Sequence, residues 1–340
     1  MSSSGRGAAM QAAVARPPYD IMRGAHAELH VRDLAASRDF YVDQLGLIVT
    51  ADTGDALYLR GWEERLHHSL VLRAAPTPAA AHLAFRVREE EDLLRLVEAF
   101  DADGVASRWV DDELGQGRGL RVQDPAGFPL EFFHAMEPVA SQLRRFDIQR
   151  GAPVLRFDHF NLHVTDVETV AAQWFRHGFR CSEYIETDAT PARLTGAWML
   201  RKPTVHDVGL TLGRGPRLHH LGFWVGEPMG VLRACDQLAA AGHVAAIERG
   251  PGRHGVSNAF FVYLRDPDGH RIELYSCDYY TGDPDHEPLR WSVSDPSCRS
   301  FWGTRAPDEW YEESSLLLDL DGEPVDVHDA SADERSEIMA

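Results

Sequence analysis

The chain repeats itself, and this internal repetition is the feature that most restricts how it can fold. One pair of matching segments reads AHAELHVRDL at 25–34 and DHFNLHVTDV at 158–167. A second pair reads HLAFRV at 82–87 and HLGFWV at 220–225. In each pair the matching strand-like segment is followed by a pattern typical of a helix. The chain therefore consists of two related halves.

A third repeated pair marks turns. It reads DPAGFPLE at 124–131 and DPDGHRIE at 266–273, and Asp-Pro-x-Gly is typical of a turn that leads into a strand. The repeats together predict four similar βαβββ modules, paired into an N-terminal half at 21–145 and a C-terminal half at 150–280. Helices mixed with strands that are joined by hairpin turns predict an α+β fold.

The two ends of the chain lie outside the repeat. Residues 1–20 are rich in Ser, Gly, Ala and Arg without an unbroken apolar stretch, which predicts a disordered leader rather than a secretory signal. Residues 281–340 form a C-terminal extension, for which a role as a lid over the site is a hypothesis. Three aromatic residues predict that its first part packs on the body of the protein: Trp291, Trp302 and Trp310. Its acidic end begins at Asp319, and the last ~15 residues of the chain are predicted to be a mobile tail because they are polar and acidic.

Several histidines fall on the polar faces of predicted strands. Side chains alternate across a strand with a period of two, so neighbours in sequence point to opposite faces. By this alternation His159, His220 and Glu273 share one concave polar face, opposite a set of apolar residues: Phe160, Leu162, Val164, Leu221, Phe223, Val225, Ile272 and Leu274. Two imidazoles and one carboxylate on one face are typical of mononuclear non-haem iron(II) enzymes, which keep the opposite positions open for substrate and dioxygen. The triad alone leaves the reaction open.

Longer strings around these residues resemble a known family. They are FDHFN at 157–161, AWM at 197–199, VHD at 205–207, GPRLHH at 215–220, ERGPGRHGVSN at 248–258, HRIE at 270–273 and DYYTGDP at 278–284. With the paired repeats they resemble the vicinal oxygen chelate superfamily and, within it, the extradiol ring-cleaving catechol dioxygenases. The resemblance implies two barrel-like halves, of which the second is catalytic. It also implies meta cleavage of a carboxylated catechol, most specifically 3,4-dihydroxyphenylacetate, to 5-carboxymethyl-2-hydroxymuconate semialdehyde.

The same resemblance implies roles for individual residues. The ligands of iron(II), for which manganese(II) is an alternative, would be His159, His220 and Glu273. The catalytic residues beside them would be His206, Tyr263 and Asn161. An imidazole suits acid–base work because its reference pKa is about 6.5. The residues that line the substrate ring and hold its carboxylate would be Trp198, Arg249, His254 and Arg299. Arginine can bind a carboxylate through two hydrogen bonds.

Charge and cysteine content restrict the partners. The formal net charge is −19, which disfavours binding to nucleic acid or to an anionic membrane surface. The four cysteines have no CxxC spacing, which favours reduced thiols and a cytoplasmic location over a disulfide framework. The family resemblance implies a catechol and dioxygen as the partners. A homo-oligomer, a tetramer, is implied by the family resemblance.

The N-terminal half departs from the pattern expected of a non-catalytic half. By the repeat, three of its residues correspond to the metal ligands: His26, His82 and Glu131. A second metal site is therefore one hypothesis, and a relic of duplication with its histidines in hydrogen bonds is the other. Arg121 and Glu28 stand where the C-terminal half has Tyr263 and Asn161, and this difference favours the relic.

Two other classes of protein share this fold. A glyoxalase-like isomerase, or another metal-dependent member of the superfamily, would need the triad but not His206 and Tyr263 beside it. A ligand-sequestering protein of the drug-resistance type usually has a single half and no complete triad. The complete triad with its neighbouring residues favours the dioxygenase.

Overall fold

The computed structural model describes residues 3–152 and 154–330. The strands are β1 (Ile21–Val31), β2 (Ile48–Asp52), β3 (Ala56–Arg60), β4 (Leu70–Ala74), β5 (Ala79–Val87), β6 (Ser107–Val110), β7 (Gly119–Gln123), β8 (Pro129–Phe133), β9 (Arg156–Val164), β10 (Arg180–Glu186), β11 (Leu194–Leu200), β12 (Val208–Leu212), β13 (Arg217–Trp224), β14 (Ile247–Arg253), β15 (Phe260–Arg265), β16 (Arg271–Ser276) and β17 (Leu289–Ser292). The α-helices are α1 (Ser3–Ala13), α2 (Leu34–Arg38), α3 (Glu91–Ala102), α4 (Val167–Arg176), α5 (Pro228–Ala240) and α6 (Glu309–Glu312). A π-helix, Asp39–Gln44, extends α2, and two short 3-10 helices flank β14: Val244–Ala246 and Val256–Asn258.

Two sheets repeat one strand order. The first sheet runs β2-β3-β4-β1-β5-β8-β7-β6, and the second runs β14-β15-β16-β13-β9-β12-β11-β10-β17. In each sheet the first strands of two modules pair antiparallel at the centre, β1 with β5 and β9 with β13. The predicted α+β fold of four βαβββ modules in two halves is confirmed. The extension adds β17 to the outer edge of the second sheet.

Helices and turns begin at short polar motifs, at the positions that the repeat predicts. The carboxylate of Asp166 accepts a hydrogen bond from the main-chain N–H of Thr169 and caps α4. The carboxylates of Asp124 and Asp266 each accept two main-chain N–H groups of the turn that follows them. Each turn contains a glycine at positive φ, as its tight geometry requires. These turns lead directly into β8 and β16, the strands that carry Glu131 and Glu273.

The apolar faces of the central strands form the core. The predicted residues on β9, β13 and β16 are all buried there, together with the apolar face of α4 and residues of the N-terminal half. Phe160 of β9, for example, packs its ring 5.4 Å from that of Phe85 on β5. The opposite faces of the strands are left for polar side chains, as the alternation predicts.

The predicted disordered leader is wrong for residues 3–20. Arg6 of α1 forms ion pairs with Glu168 at 2.6 Å and Glu186 at 2.8 Å, and Met10 is buried in the core. After the helix, the main-chain N–H of Ala15 bonds to the carbonyl of Phe175 at 2.9 Å. Composition alone missed this because the acidic partners of Arg6 lie more than 160 residues away in sequence. Residues 1–2 lie outside the described part.

The extension packs along both halves. Trp291 and Trp310 belong to buried apolar clusters, whereas Trp302 stays 48% exposed. The predicted mobile tail is wrong as far as the structure describes it, because the main chain of His328 exchanges two hydrogen bonds with Gly215. Residues 331–340 lie outside the described part. Within the described ranges, no helix combines the length and the apolar character that crossing a bilayer requires.

Candidate active site

Three donor atoms converge where β9, β13 and β16 lie side by side. Nε2 of His159 lies 3.2 Å from Nε2 of His220 and 3.1 Å from Oε2 of Glu273. The third side of this triangle, from His220 Nε2 to Glu273 Oε2, measures 3.2 Å. All three side chains are buried, and the group has the composition and spacing to hold a metal ion.

The triangle fits one face of an octahedral ion. Adjacent donors at about 2.1 Å from a metal in octahedral geometry would be about 3.0 Å apart. Burial alone would raise the pKa of Glu273, but its hydrogen bonds to His159 and His220 hold that pKa well below its usual range. Burial lowers the pKa of His220 to about 4, so its imidazole stays neutral. Burial would lower the pKa of His159, but its hydrogen bonds to Asp158 and Glu273 raise that pKa above its usual value. Metal binding requires a charged carboxylate and neutral imidazoles, so an ion that binds would displace the extra proton of His159.

Gly222 makes room for this geometry. It lies between His159 and Glu273 in the sheet, paired with His159 on β9 and with Glu273 on β16. A Cβ atom at this position would come within 2.1 Å of Cε1 of His159. Only glycine therefore permits the imidazole to lie over the strand.

The remaining nitrogen of each histidine ligand has its own partner. Nδ1 of His159 lies 3.1 Å from Oδ2 of Asp158, and Nδ1 of His220 lies 2.7 Å from Nδ1 of His219. Such second contacts fix the orientation of a ligating imidazole. The strand alternation did not predict His219, which faces the site because β13 has a bulge between Leu218 and His220.

His206 lies against the triad without joining it. Its ring centroid is 3.9 Å from that of His159. Burial, followed by the charge of His159, lowers the pKa of His206 well below its usual range. No hydrogen-bond partner for its buried Nδ1 exists among the described residues. His206 is thus a neutral imidazole that can exchange a proton with a bound molecule.

Tyr263 and His254 form a hydrogen-bonded pair beside the triad. Nδ1 of His254 bonds to the carbonyl of Arg299, so this nitrogen carries the proton. Nε2 of His254 then accepts the Tyr263 hydroxyl, 2.9 Å away. Burial, followed by the charge of Arg249, lowers the pKa of His254 to about 3, and burial raises the pKa of Tyr263 well above 10. Both groups are therefore neutral near pH 7.

Arg249 is a buried cation that faces the same space. Its Nη2 donates to Oγ of Ser300 at 2.7 Å and to the carbonyl of Arg299 at 2.9 Å. Its guanidinium lies 4.8 Å from the ring centre of Trp310. Across the described ranges no carboxylate forms an ion pair with Arg249, and its buried Nε has no acceptor. A buried charge normally has a counterion, so this site is suited to an anionic group.

One cavity joins all of these groups. All ten residues that the sequence predicts for the site line it: His159, Asn161, Trp198, His206, His220, Arg249, His254, Tyr263, Glu273 and Arg299. Oδ1 of Asn161 accepts the hydroxyl of Thr211 at 3.0 Å, which directs its amide NH₂ elsewhere. The sequence reasoning missed further lining residues: Ile185, Thr211, His219, Val256, Ser257, Cys298, Trp310 and Tyr311. The aromatic content of the extension was the only signal that pointed to Trp310.

Known proteins share this fold. A family model described as the Glyoxalase/Bleomycin resistance protein/Dioxygenase superfamily matches residues 23–132 and 156–274. A manganese-dependent 2,3-dihydroxybiphenyl 1,2-dioxygenase of Geobacillus genomosp. 3 is 34% identical over 83% of this chain and 94% of its own length.

Solved structures are closer still. Homoprotocatechuate 2,3-dioxygenase from Brevibacterium fuscum, in complex with 3,4-dihydroxyphenylacetate, is 45% identical with a TM-score of 0.89, over 92% of this chain and 98% of that one. The homoprotocatechuate 2,3-dioxygenase of Arthrobacter globiformis is 44% identical with a TM-score of 0.89, and the match covers 93% of this chain and 98% of that one. The chain belongs to the extradiol ring-cleaving catechol dioxygenases of the vicinal oxygen chelate superfamily.

Proposed function

We propose that this enzyme cleaves 3,4-dihydroxyphenylacetate with dioxygen to 5-carboxymethyl-2-hydroxymuconate semialdehyde. This choice of substrate rests on Arg249, whose buried guanidinium lines the same cavity as the triad. In the described part of the chain this guanidinium has no carboxylate partner. An unsubstituted catechol would leave this charge unbalanced, whereas the acetate group of the substrate would neutralise it. The Brevibacterium enzyme is known in complex with this same compound.

The metal centre is proposed on the three converging donors. His159, His220 and Glu273 would hold a divalent iron ion, and manganese is an alternative that one relative uses. The chemistry that such an ion supplies when bound is chelation of both catechol oxygens and transfer of electron density from the ring to dioxygen. Both atoms of dioxygen end in the product, so no other oxidant is needed.

Proton transfer is assigned to His206. A neutral imidazole can accept the proton of a catechol hydroxyl at Nε2 or Nδ1 and return it to an oxygen atom later in the reaction. Tyr263 keeps its proton, which Nε2 of His254 accepts in this structure, and would turn it to a substrate oxygen when a catechol binds. Asn161 would contribute its NH₂ group on the oxygen side, since Thr211 occupies its carbonyl oxygen.

The carboxylate end of the substrate is assigned to the two arginines that line the cavity. Arg249 and Arg299 would neutralise the carboxylate, and Trp198 would line the ring. His254 would donate to the carboxylate only after it releases Tyr263 and takes up a proton at Nε2, because in this structure Nδ1 donates to the Arg299 carbonyl and Nε2 accepts the Tyr263 hydroxyl.

The test is reconstitution of the metal-free protein with iron(II) without air, followed by 3,4-dihydroxyphenylacetate and air. We expect a yellow ring-opened product and one dioxygen consumed per catechol. The same assay with manganese(II), and with catechols that carry propionate, an amino acid side chain or no carboxylate, ranks metals and substrates. Metal bound at about one per chain without oxygen uptake on any catechol would contradict the proposal and favour a glyoxalase-like isomerase.

We also propose a cytoplasmic homo-oligomer, a tetramer, in which 281–340 acts as a lid over the site. The four cysteines are all free, which suits a reducing compartment. Arg299, Trp310 and Tyr311 of the extension line the cavity, which supports a covering role. The halves are proposed to extend over 21–145 and 150–280. Light scattering of the purified protein tests the oligomer.

A further inference from the structure

The N-terminal half contains a second group of two histidines and one glutamate. His26, His82 and Glu131 are all buried, and Nε2 of His26 lies 3.2 Å from Nε2 of His82, the same separation as in the C-terminal half. Glu131 is further away, with its oxygens 3.5 Å from His26 Nε2 and 3.9 Å from His82 Nε2. The histidine pair is therefore reproduced, but the carboxylate is displaced.

The carboxylate of Glu131 already has donors on both oxygens. Nε of Arg121 lies 2.6 Å from Oε2, and the amide nitrogen of Gln116 lies 2.7 Å from Oε1. The same guanidinium also contacts Glu113 at 2.6 Å. Arg121 thus neutralises the fully buried carboxylate of Glu131. A bound metal ion would neutralise Glu273 in the same way in the C-terminal half.

The strand register places Arg121 opposite the carboxylate. Arg121 pairs with Glu131 across β7 and β8, and Tyr263 pairs with Glu273 across β15 and β16. An arginine therefore stands at the position where the catalytic half has a neutral tyrosine. The positive charge beside Glu131 therefore comes from a residue of the neighbouring strand and not from a distant loop.

A second difference concerns the strand beneath the histidine. Ala84 pairs with His26 and with Glu131, as Gly222 pairs with His159 and Glu273. A Cβ atom at Gly222 would meet the His159 ring at 2.1 Å, so the methyl group of Ala84 prevents His26 from lying as His159 does. In addition, Nδ1 of His26 and of His82 has no hydrogen-bond partner among the described residues, unlike Nδ1 of the catalytic ligands.

We infer that the guanidinium of Arg121 takes the place of a divalent cation in the N-terminal half, so that this half is a cation site filled by the protein's own arginine. A dication added to it would lie beside a fixed positive charge that already neutralises Glu131. The wild-type protein is therefore expected to bind one ion per chain. Removal of the arginine charge is expected to open a second site for a divalent ion bound by nitrogen and oxygen donors.

The experiment measures manganese(II) per folded chain by equilibrium dialysis and elemental analysis. It compares the wild type, Arg121→Tyr, which restores the residue of the catalytic half, and the double variant Arg121→Tyr/Ala84→Gly. We expect one ion in the wild type and two in the double variant, with the second ion lost when His26→Ala is added. The catechol dioxygenase activity of the C-terminal half reports that each variant is folded.

Two ions in the wild type, or one ion in both folded variants, would overturn the inference. If the variants fold poorly, thermal unfolding with and without manganese(II) distinguishes the outcomes. If manganese(II) restores the unfolding temperature of the variants, and His26→Ala abolishes this recovery, the result supports a cation site that removal of the arginine has vacated. Equal destabilisation with and without the ion counts against it.

Discussion

Nδ1 of His219 lies 2.7 Å from Nδ1 of the neighbouring ligand His220, while its Nε2 lies 3.1 Å from the carbonyl oxygen of Trp310. A carbonyl can only accept, so Nε2 of His219 carries the proton. Burial, followed by the charge of Arg271, lowers the pKa of His219 well below its usual range, so its Nδ1 is an acceptor for Nδ1–H of His220. Nε2 of His220 is left with its lone pair toward the triad.

His219→Ala is therefore expected to weaken metal binding by about 10–100-fold, since the orientation of His220 loses its support. His219→Gln keeps an acceptor oxygen and is expected to lose less. Titration of metal-free protein with manganese(II) measures the affinity. His243→Ala, on the surface and paired with Asp39, is the control. Equal affinity in His219→Ala and this control would show that His219 does not orient the ligand.

His206→Phe removes the proton acceptor but keeps an aromatic ring against His159. We expect the metal content to stay near one per chain, since His206 is not in the triad. The turnover number is expected to fall about 100-fold or more, in line with the contribution of a general acid–base residue. Steady-state oxygen uptake beside elemental analysis measures both. Unchanged turnover would exclude His206 from proton transfer.

Arg249→Met removes the charge that has no carboxylate partner in the described structure. Hydrogen bonds to charged groups contribute about 1.5–3 kcal/mol, so kcat/KM for 3,4-dihydroxyphenylacetate is expected to fall roughly 10–150-fold. The matched control is the substrate 4-methylcatechol, which lacks the carboxylate and is expected to lose much less. An equal loss for the two substrates would mean that Arg249 supports the structure of the site and does not recognise the carboxylate.

Glu183 connects the extension to the catalytic half. Its fully buried carboxylate accepts the Tyr279 hydroxyl at 2.5 Å, the Trp291 indole N–H at 2.5 Å and the Ser257 main-chain N–H at 2.7 Å. Glu183→Ala leaves these donors without an acceptor, at about 1–3 kcal/mol each, so the free energy of unfolding is expected to fall by roughly 3 kcal/mol or more.

Urea unfolding measures this loss. The control is Glu168→Ala, which breaks a partly exposed ion pair with Arg6 and is expected to cost less than about 1 kcal/mol. Because Ser257 lines the cavity, KM for the catechol is expected to rise in Glu183→Ala. A loss no larger than that of the control would show that the three hydrogen bonds do not stabilise the folded protein.

Deletion of 319–340 is expected to affect stability and not turnover. This segment contacts Arg108 of β6 through Asp321, and the main chain of Gly215 through His328. The two main-chain hydrogen bonds at Gly215 are worth about 2 kcal/mol together, and their loss is expected to lower the Tm of a chain of this length by about 3 °C. No residue of 319–330 lines the cavity. A loss of turnover in the folded truncated protein would indicate that this segment takes part in covering the site.

The features of this protein that the sequence could predict are those that depend on local patterns. The alternation of side chains along β9, β13 and β16 depends only on the strand itself, so the sequence alone could place His159, His220 and Glu273 on one face. The Asp-Pro-x-Gly turns are equally local. The repeat of these patterns predicted four modules, and the repetition in the first half also indicated His26 and His82.

The tertiary structure alone decided which charges meet and which do not. A bulge in β13 brings His219 into the site. Among the described residues the fold leaves Arg249 without a carboxylate, whereas it gives Arg121 two. The helix α1 packs on the protein through ion pairs of Arg6 with Glu168 and Glu186. The extension places Trp310 and Tyr311 in the wall of the cavity. Each of these outcomes depends on contacts between segments far apart in sequence. Strand periodicity carries no information about them, because the partner of a buried charge is set by packing.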